Sequence, residues 1–330
     1  MYFYIQWHIT DRCNLRCLHC YQEQFSASNE LPFSKLKLIS DNLISSSKLW
    51  NKGLKIALTG GEPLLKPELW ALVDYLKSFN TNLNLISNGT LVSKYISDIK
   101  HSGLKEFYIS LDGITKESND SIRGKGSFKK AIEGIEALKS QSFSVVIMFT
   151  LLKRNLPEAM ELFGFAKELG IDGYIIERFF PLGQGKKYLK EVVSGKELNS
   201  LYQHIFKQVG EIYVPSEMVK YRAIRVEFDN KIQLYGAECI AGRDGLAILP
   251  DGTALPCRRF NLTVGNLLEK PLTEIFEKSE VLRKIVDKKN FKGICNEKKC
   301  KIPDCYGCRA MTLAISGDYL APDPHCWVYM

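Results

Sequence analysis

No cysteine stands between Cys20 and Cys239, in a chain that carries ten. Long apolar runs are missing too. None approaches the roughly 18 residues that a membrane helix needs, and no charged-then-apolar leader opens the chain. These absences argue against a spanning helix and a secretion signal, and predict a cytoplasmic protein with no membrane partner. A reducing compartment does not sustain structural disulfides. Three early cysteines and seven beyond position 238 therefore read as metal ligands. Blocks of like charge are also lacking. The net +8, from 45 Lys and Arg against 37 Asp and Glu, is scattered along the chain. It reads as a solvated, Lys-rich surface, with no nucleic-acid partner implied. Internal repeats and low-complexity segments are absent.

Apolar material is ample: 45% of 330 residues, enough for one large domain and a smaller one. The segments "YFYIQWHIT", "LKIALTG", "LNLISN", "EFYISLDG", "FSVVIMFTL" and "DGYIIERF" are short and rich in β-branched or aromatic residues. Each ends in a turn signal. Helical patterns lie between them, two opening near Pro32 and Pro67 and two stopped by Gly103 and Gly170. Six β-then-α units in series predict an α/β fold with a parallel sheet, curled into a partial (β/α)6 TIM-like barrel over residues 1–190. Residues 191–235 are expected to connect, helical through "KELNSLYQHIFKQVGEIY". Residues 236–330 read as a loop-rich domain with one amphipathic helix near "LTEIFEKSEVLRKIVDK". So many turns need staples, which metal clusters supply.

The stretch "TDRCNLRCLHCY" sets Cys13, Cys17 and Cys20 in a CX3CX2C pattern, one ligand short of the usual four. Two readings follow: a zinc loop completed by His8 or His19, or an iron–sulfur cubane with one iron left open. Other polar groups fall at the ends of the expected strands. They are "TGGEPLL" (Gly60, Gly61, Glu62, Pro63), "SNG" (Ser87, Asn88) and "SLDG" (Ser110, Asp112), while "IRGKGSF" places Arg123 just before a helix. Each alone is compatible with a turn or cap. Together they resemble the radical SAM superfamily, in which S-adenosylmethionine (SAM) chelates the open iron and is cleaved to a 5′-deoxyadenosyl radical. The resemblance implies that Cys13, Cys17 and Cys20 hold a 4Fe–4S cluster. It assigns Gly60, Gly61, Glu62 and Pro63 to SAM, with Glu62 accepting from its ammonium. Ser87, Asn88, Ser110, Asp112 and Arg123 would hold its ribose and carboxylate. His19, where the family has an aromatic residue, would pack near the adenine, and His8 reads as a structural histidine.

Cys239, the "GTALPC" turn ending at Cys257, the run Cys295, Cys300, Cys305 and Cys308, and a last Cys326 resemble the SPASM extension of these enzymes. The middle run departs from the family spacing: CX4CX4CX2C stands where CX2CX5CX3C is usual. By order, the resemblance assigns Cys239, Cys257 and Cys308 to a first auxiliary 4Fe–4S cluster. Cys295, Cys300, Cys305 and Cys326 go to a second. Three cubanes, one of which gives an iron to SAM, need one thiolate more than the ten present. An open auxiliary iron could take water, Asp229, Glu238 or a substrate thiolate. A single auxiliary cluster and a zinc ribbon are the competing readings of the tail.

With no cysteine to spare as a hydrogen-atom donor, peptide epimerisation is disfavoured. An oxidative reaction whose electron leaves through an auxiliary cluster fits the tail better. The resemblance thus implies an enzyme that abstracts hydrogen from a peptide and forms a thioether or carbon–carbon cross-link. It would be assisted by a separate leader-binding protein and fed by a flavodoxin- or ferredoxin-type donor. The alternatives are maturation of a protein such as a sulfatase, where family members carry an aspartate at the position of Arg258, and a small-molecule or haem-pathway reaction. An iron–sulfur electron carrier without catalysis is the reading from a different class. "FFPLGQG" should line the substrate-side mouth, with Glu177 and Arg178 either facing the ligand or closing the barrel. Tyr306 reads as structural.

Overall fold

The computed structural model describes residues 1–329. Its first half alternates as the periodicity predicts. The elements are β1 (Tyr2–His8), α1 (Phe33–Leu49), β2 (Gly53–Thr59), α2 (Leu69–Lys77), β3 (Asn82–Ser87), α3 (Val92–Ser102), β4 (Glu106–Ser110), α4 (Lys116–Arg123), α5 (Ser127–Lys139), β5 (Ser144–Leu151), α6 (Leu156–Glu168) and β6 (Gly173–Arg178). Strands β1 to β6 pair in sequence order, all parallel. Helices return the chain between them and cover the outer face of the curled sheet, while residues of the inner face such as Gln6, Ile86, Met148 and Thr150 line a cavity. In β1, Phe3, Ile5 and Trp7 are buried; Ile56 and Leu58 of β2 and Ile147 and Phe149 of β5 join the same core. The fold is mixed α/β around a parallel sheet, consistent with a partial TIM-like barrel. Its strand C-termini all point to one rim, where the motif residues collect.

The sheet does not stop at β6. After α7 (Gly195–Val209) and the single turn α8 (Pro215–Met218), the hairpin β7 (Ala223–Phe228) and β8 (Ile232–Ala237) adds antiparallel to β6. Beyond it, β9 (Gly245–Ile248) pairs in parallel with β1, and β10 (Thr253–Leu255) and β11 (Gly265–Asn266) extend that edge. Among the described residues eleven strands thus form one sheet. The stretch 191–235, expected to connect by helix, contributes β7 and part of β8. The tail expected to be loop-rich supplies three strands. Pairing with the open edges of β6 and β1 satisfies backbone donors and acceptors that would otherwise be exposed. The single helix expected near "LTEIFEKSEVLRKIVDK" is two, α9 (Leu272–Lys278) and α10 (Glu280–Ile285). Ser279 leaves helical geometry at ψ 117° and its hydroxyl caps the second helix by accepting from the Leu282 N–H at 3.3 Å. A last helix, α11 (Arg309–Ser316), follows Cys308.

Candidate active site

The loop after β1 carries Cys13, Cys17 and Cys20, and it sits where it does because the loop after β2 has no side chains in the way. A Cβ on Gly60 would lie 2.3 Å from the Thr10 carbonyl oxygen, and one on Gly61 2.3 Å from that of Arg12. The bare backbones instead bond, Gly61 N–H to Thr10 O at 2.8 Å and Glu62 N–H to Arg12 O at 2.7 Å. Here the glycines admit the stem of the cysteine loop, a close approach the sequence reading assigned to a ligand.

All three thiols line a cavity at the strand rim that opens to solvent. His19, Gly60, Gly61, Ser87, Asn88, Ser110 and Arg123 line it too. Glu62, Pro63 and Asp112 stand behind the wall. Glu62 is fully buried and accepts from the Ser87 hydroxyl at 2.9 Å and the N–H groups of Asn88 and Leu64 at 2.8 and 3.2 Å. Burial nevertheless pushes its carboxyl up to about 7. Asp112 is fully buried. Its Oδ2 meets Arg123 Nε and His19 Nε2, each at 2.6 Å, and its Oδ1 accepts from the Thr150 N–H at 2.7 Å. Burial alone would raise this carboxyl, but Arg123 and then His19 outweigh it and hold it well below the usual carboxylate range. Asp112 therefore positions Arg123 and His19.

Backbone N–H groups of Leu15 and Gln22 point at the sulfurs of Cys13 and Cys20, at 3.4 and 3.5 Å. Asn88 Nδ2 reaches Cys13 at 3.9 Å. Burial pushes the Cys17 thiol up to about 12 and raises the other two. As free groups they hold their protons; a bound cationic centre would displace them. Among the described residues no three His, Cys, Asp or Glu side chains converge on one ion position. Sulfurs met by N–H donors fit a cluster. His8 is buried beside the loop, neutral because burial and then Arg258 and Arg259 lower it, and its Nε2 has no partner.

The far wall holds Met148, Thr150, Glu177, Arg178, Phe179, Phe180, Arg258 and Arg259. Glu177 pairs with Arg259. Arg178 faces the cavity and donates to His325 Nδ1 at 3.1 Å; burial and then Arg178 push that imidazole down to about 4. Of this wall, Arg258 stands out in the sequence only as a departure from the sulfatase-maturase pattern. Met148, Thr150 and Arg259 carried no signal except their places at a strand end and beside Cys257. A second cavity adjoins the first and shares Tyr21, Gln22 and Arg258 with it. Leu182 and Gly183 of "FFPLGQG" line it.

In the C-terminal region, Cys239, Cys257 and Cys308 line one small cavity of about 400 Å³, with Tyr306 in its wall. Neither Asp229 nor Glu238 lines it; the Glu238 carboxylate pairs with Lys220 and Arg243 at 3.1 and 3.3 Å. Cys295, Cys300, Cys305 and Cys326 line another, of about 320 Å³. Three donors aim at sulfurs there: Asp323 N–H and Arg309 Nη2 at Cys295 (3.3 and 3.7 Å), and Arg222 Nη2 at Cys305 (3.8 Å). Gly307 lines both cavities.

Residues 7–166 match the model of the Radical SAM superfamily, and residues 239–309 that of SPASM, an iron–sulfur cluster-binding domain. An AdoMet-dependent heme synthase of Methanosarcina barkeri is 30% identical, over 98% of this chain and 95% of that protein. The chain belongs to the radical SAM superfamily. The match over 239–309 gives it a SPASM extension, and the two matches together imply SAM and 4Fe–4S cofactors. The antilisterial bacteriocin subtilosin biosynthesis protein AlbA of Bacillus subtilis is 25% identical over 91% of this chain and 65% of its own length. The fold matches that of Streptococcus suis SuiB, solved with its precursor peptide SuiA, at a TM-score of 0.74. There the identity is 17%, over 99% of this chain and 76% of SuiB. This radical SAM/SPASM enzyme has no helix, among the described residues, long and apolar enough to cross a membrane.

Proposed function

We propose that this enzyme acts on an iron porphyrin bearing propionate side chains and converts propionate to vinyl on the way to haem. The observation that carries this reading is the near end-to-end similarity to a heme synthase. It moves the haem-pathway alternative ahead of peptide cross-linking. A side chain –CH2–CH2–COO⁻ that gives up a hydrogen atom from the carbon next to the ring, then CO2 and one electron, becomes vinyl. When bound, SAM on the reduced cluster supplies the acceptor for the hydrogen atom, and the auxiliary clusters supply the acceptor for the electron.

The chain's own residues supply the rest. Cys13, Cys17 and Cys20 would hold the SAM cluster. Glu62, Ser87, Asn88, Ser110 and Arg123 lie within or just behind the wall where SAM would bind. The adjoining cavities give a broad, flat substrate more room than either gives alone. Cys257 lines the first auxiliary cavity while Arg258, the next residue, lines the active cavity, so an electron acceptor would sit directly behind the substrate. A flavodoxin- or ferredoxin-type donor would return electrons to the SAM cluster.

The test is anaerobic incubation of the reconstituted enzyme with SAM, reductant and an iron porphyrin carrying four propionates. The expected product has lost CO2 and two hydrogens per converted side chain, with 5′-deoxyadenosine formed alongside. Unchanged porphyrin, with deoxyadenosine appearing only when a peptide is supplied, would return the enzyme to the peptide-maturase reading that the relative AlbA represents.

A further inference from the structure

Four arginines face the active cavity, and their charges are not equally committed. Arg123 is held by Asp112 at 2.6 Å and Arg259 by Glu177. Arg178 donates one bond to neutral His325 and leaves Nε and Nη2 without acceptors, but it is 3% exposed and the buried carboxylate of Asp323 feels its charge. Arg258 has none of these partners. Among the described residues it closes no ion pair, its side chain makes no hydrogen bond, and its Nε is buried without an acceptor. Its guanidinium is not adrift, however, because it stacks 4.3 Å from the centre of the Tyr21 ring. Asp11 feels its charge but does not come within ion-pair distance, and the Asp11 carboxylate is occupied by Gln22 Nε2 at 2.9 Å.

An arginine presented on an aromatic face, with donors free, at the wall between two cavities is a receptor for an anionic group. We infer that Arg258 binds a carboxylate of the substrate, one that does not itself react. The inference rests on the porphyrin reading above and adds to it the group that orients the ring. The non-reacting assignment follows from energetics. An ion pair on the carboxylate that must leave as CO2 would stabilise the ground state over the transition state, whereas one on a neighbouring carboxylate binds both equally. Arg258 lines the inner and the outer cavity alike. A propionate held there leaves another side chain of the same ring to enter the inner cavity toward the cysteine loop. Lys186, which also lines the outer cavity, is no substitute, since Glu23 takes its ammonium at 2.6 Å.

The experiment is a binding measurement with two probes, a metal-free porphyrin carrying four propionates and its neutral tetra-amide, read by porphyrin fluorescence anisotropy. The reconstituted wild type, Arg258→Gln, Arg258→Lys and Lys186→Gln are compared at equal iron per chain. The wild type should prefer the acid over the amide by roughly ten- to hundred-fold, the range for a charged hydrogen-bonding pair. Arg258→Gln should lose most of that preference, Arg258→Lys should keep part, and Lys186→Gln should stay within about two-fold of wild type. In turnover, Arg258→Gln should raise KM far more than it lowers kcat. If Arg258→Gln keeps the wild-type preference for the acid, the inference fails while the porphyrin reading stands. If the wild type binds neither probe, the porphyrin reading fails and the inference with it.

Discussion

Asp112 and Arg123 meet at 2.6 Å with both side chains nearly closed to solvent. The contact ties the loop after β4 to the end of α4, and α4 in turn meets the cysteine loop, because the Arg123 carbonyl accepts from the Cys17 thiol at 3.8 Å and the Ile122 carbonyl from the Leu18 N–H at 2.9 Å. Breaking a buried pair by removing one partner costs about 3–5 kcal/mol. Asp112→Asn should therefore destabilise the protein by about that much in anaerobic denaturant unfolding and lower its iron content. The double variant Asp112→Asn with Arg123→Met should recover part of the loss, since no unpaired charge remains.

The three cysteine sets should separate by assay. Cys13→Ala, Cys17→Ala or Cys20→Ala should abolish 5′-deoxyadenosine formation, read by chromatography. Cys257→Ala or Cys308→Ala should retain some SAM cleavage but yield no modified substrate. Full product from either of the last two would remove the first auxiliary cavity from the reaction.

Glu62 gives a pH signature. Burial raises its carboxyl from 4.5 to about 7, so the folded state binds its proton more tightly than the unfolded state. That contribution is complete below pH 4.5 and is lost as pH rises through about 7. A shift of this size corresponds to about 3 kcal/mol. Between pH 4.5 and 8, Glu62→Gln should therefore gain about 3 kcal/mol on the wild type in unfolding free energy. A difference that is flat with pH would contradict the burial argument.

Gly61→Ala would set a methyl 2.3 Å from the Arg12 carbonyl oxygen. The cysteine-loop stem would have to retreat, at about 1–3 kcal/mol, and iron content should fall with it. Gly164→Ala is the contrast: it lies inside α6 with nothing within 4 Å of the added carbon. It should stabilise by roughly 0.5–1 kcal/mol. Thermal unfolding and iron analysis of the two variants check both.

The parallel half of the fold was legible because each strand is an apolar run closed by a turn signal and followed by a 3.6-residue pattern. The chemistry was legible for a different reason: thiols, a GGE turn and polar strand ends leave few other uses for those residues. What escaped was whatever depends on a distant edge. "AIRVEF" alternates well enough to be a strand, but only docking on β6 makes it one. "GLAI" is too short to announce that it pairs with β1 across the whole chain. Arg178 ends β6 while Arg258 and Arg259 follow β10 in the C-terminal region, and local pattern says nothing of their meeting in one wall. Nor did the GGE motif reveal that its glycines serve the cysteine loop before any ligand.

The most direct measurement places deuterium on the propionate carbons next to the ring of the iron porphyrin and follows it into 5′-deoxyadenosine during anaerobic turnover. The account predicts that the deoxyadenosine carries the label and that vinyl product forms in step with it. Unlabelled deoxyadenosine, with the porphyrin still fully deuterated, would contradict it.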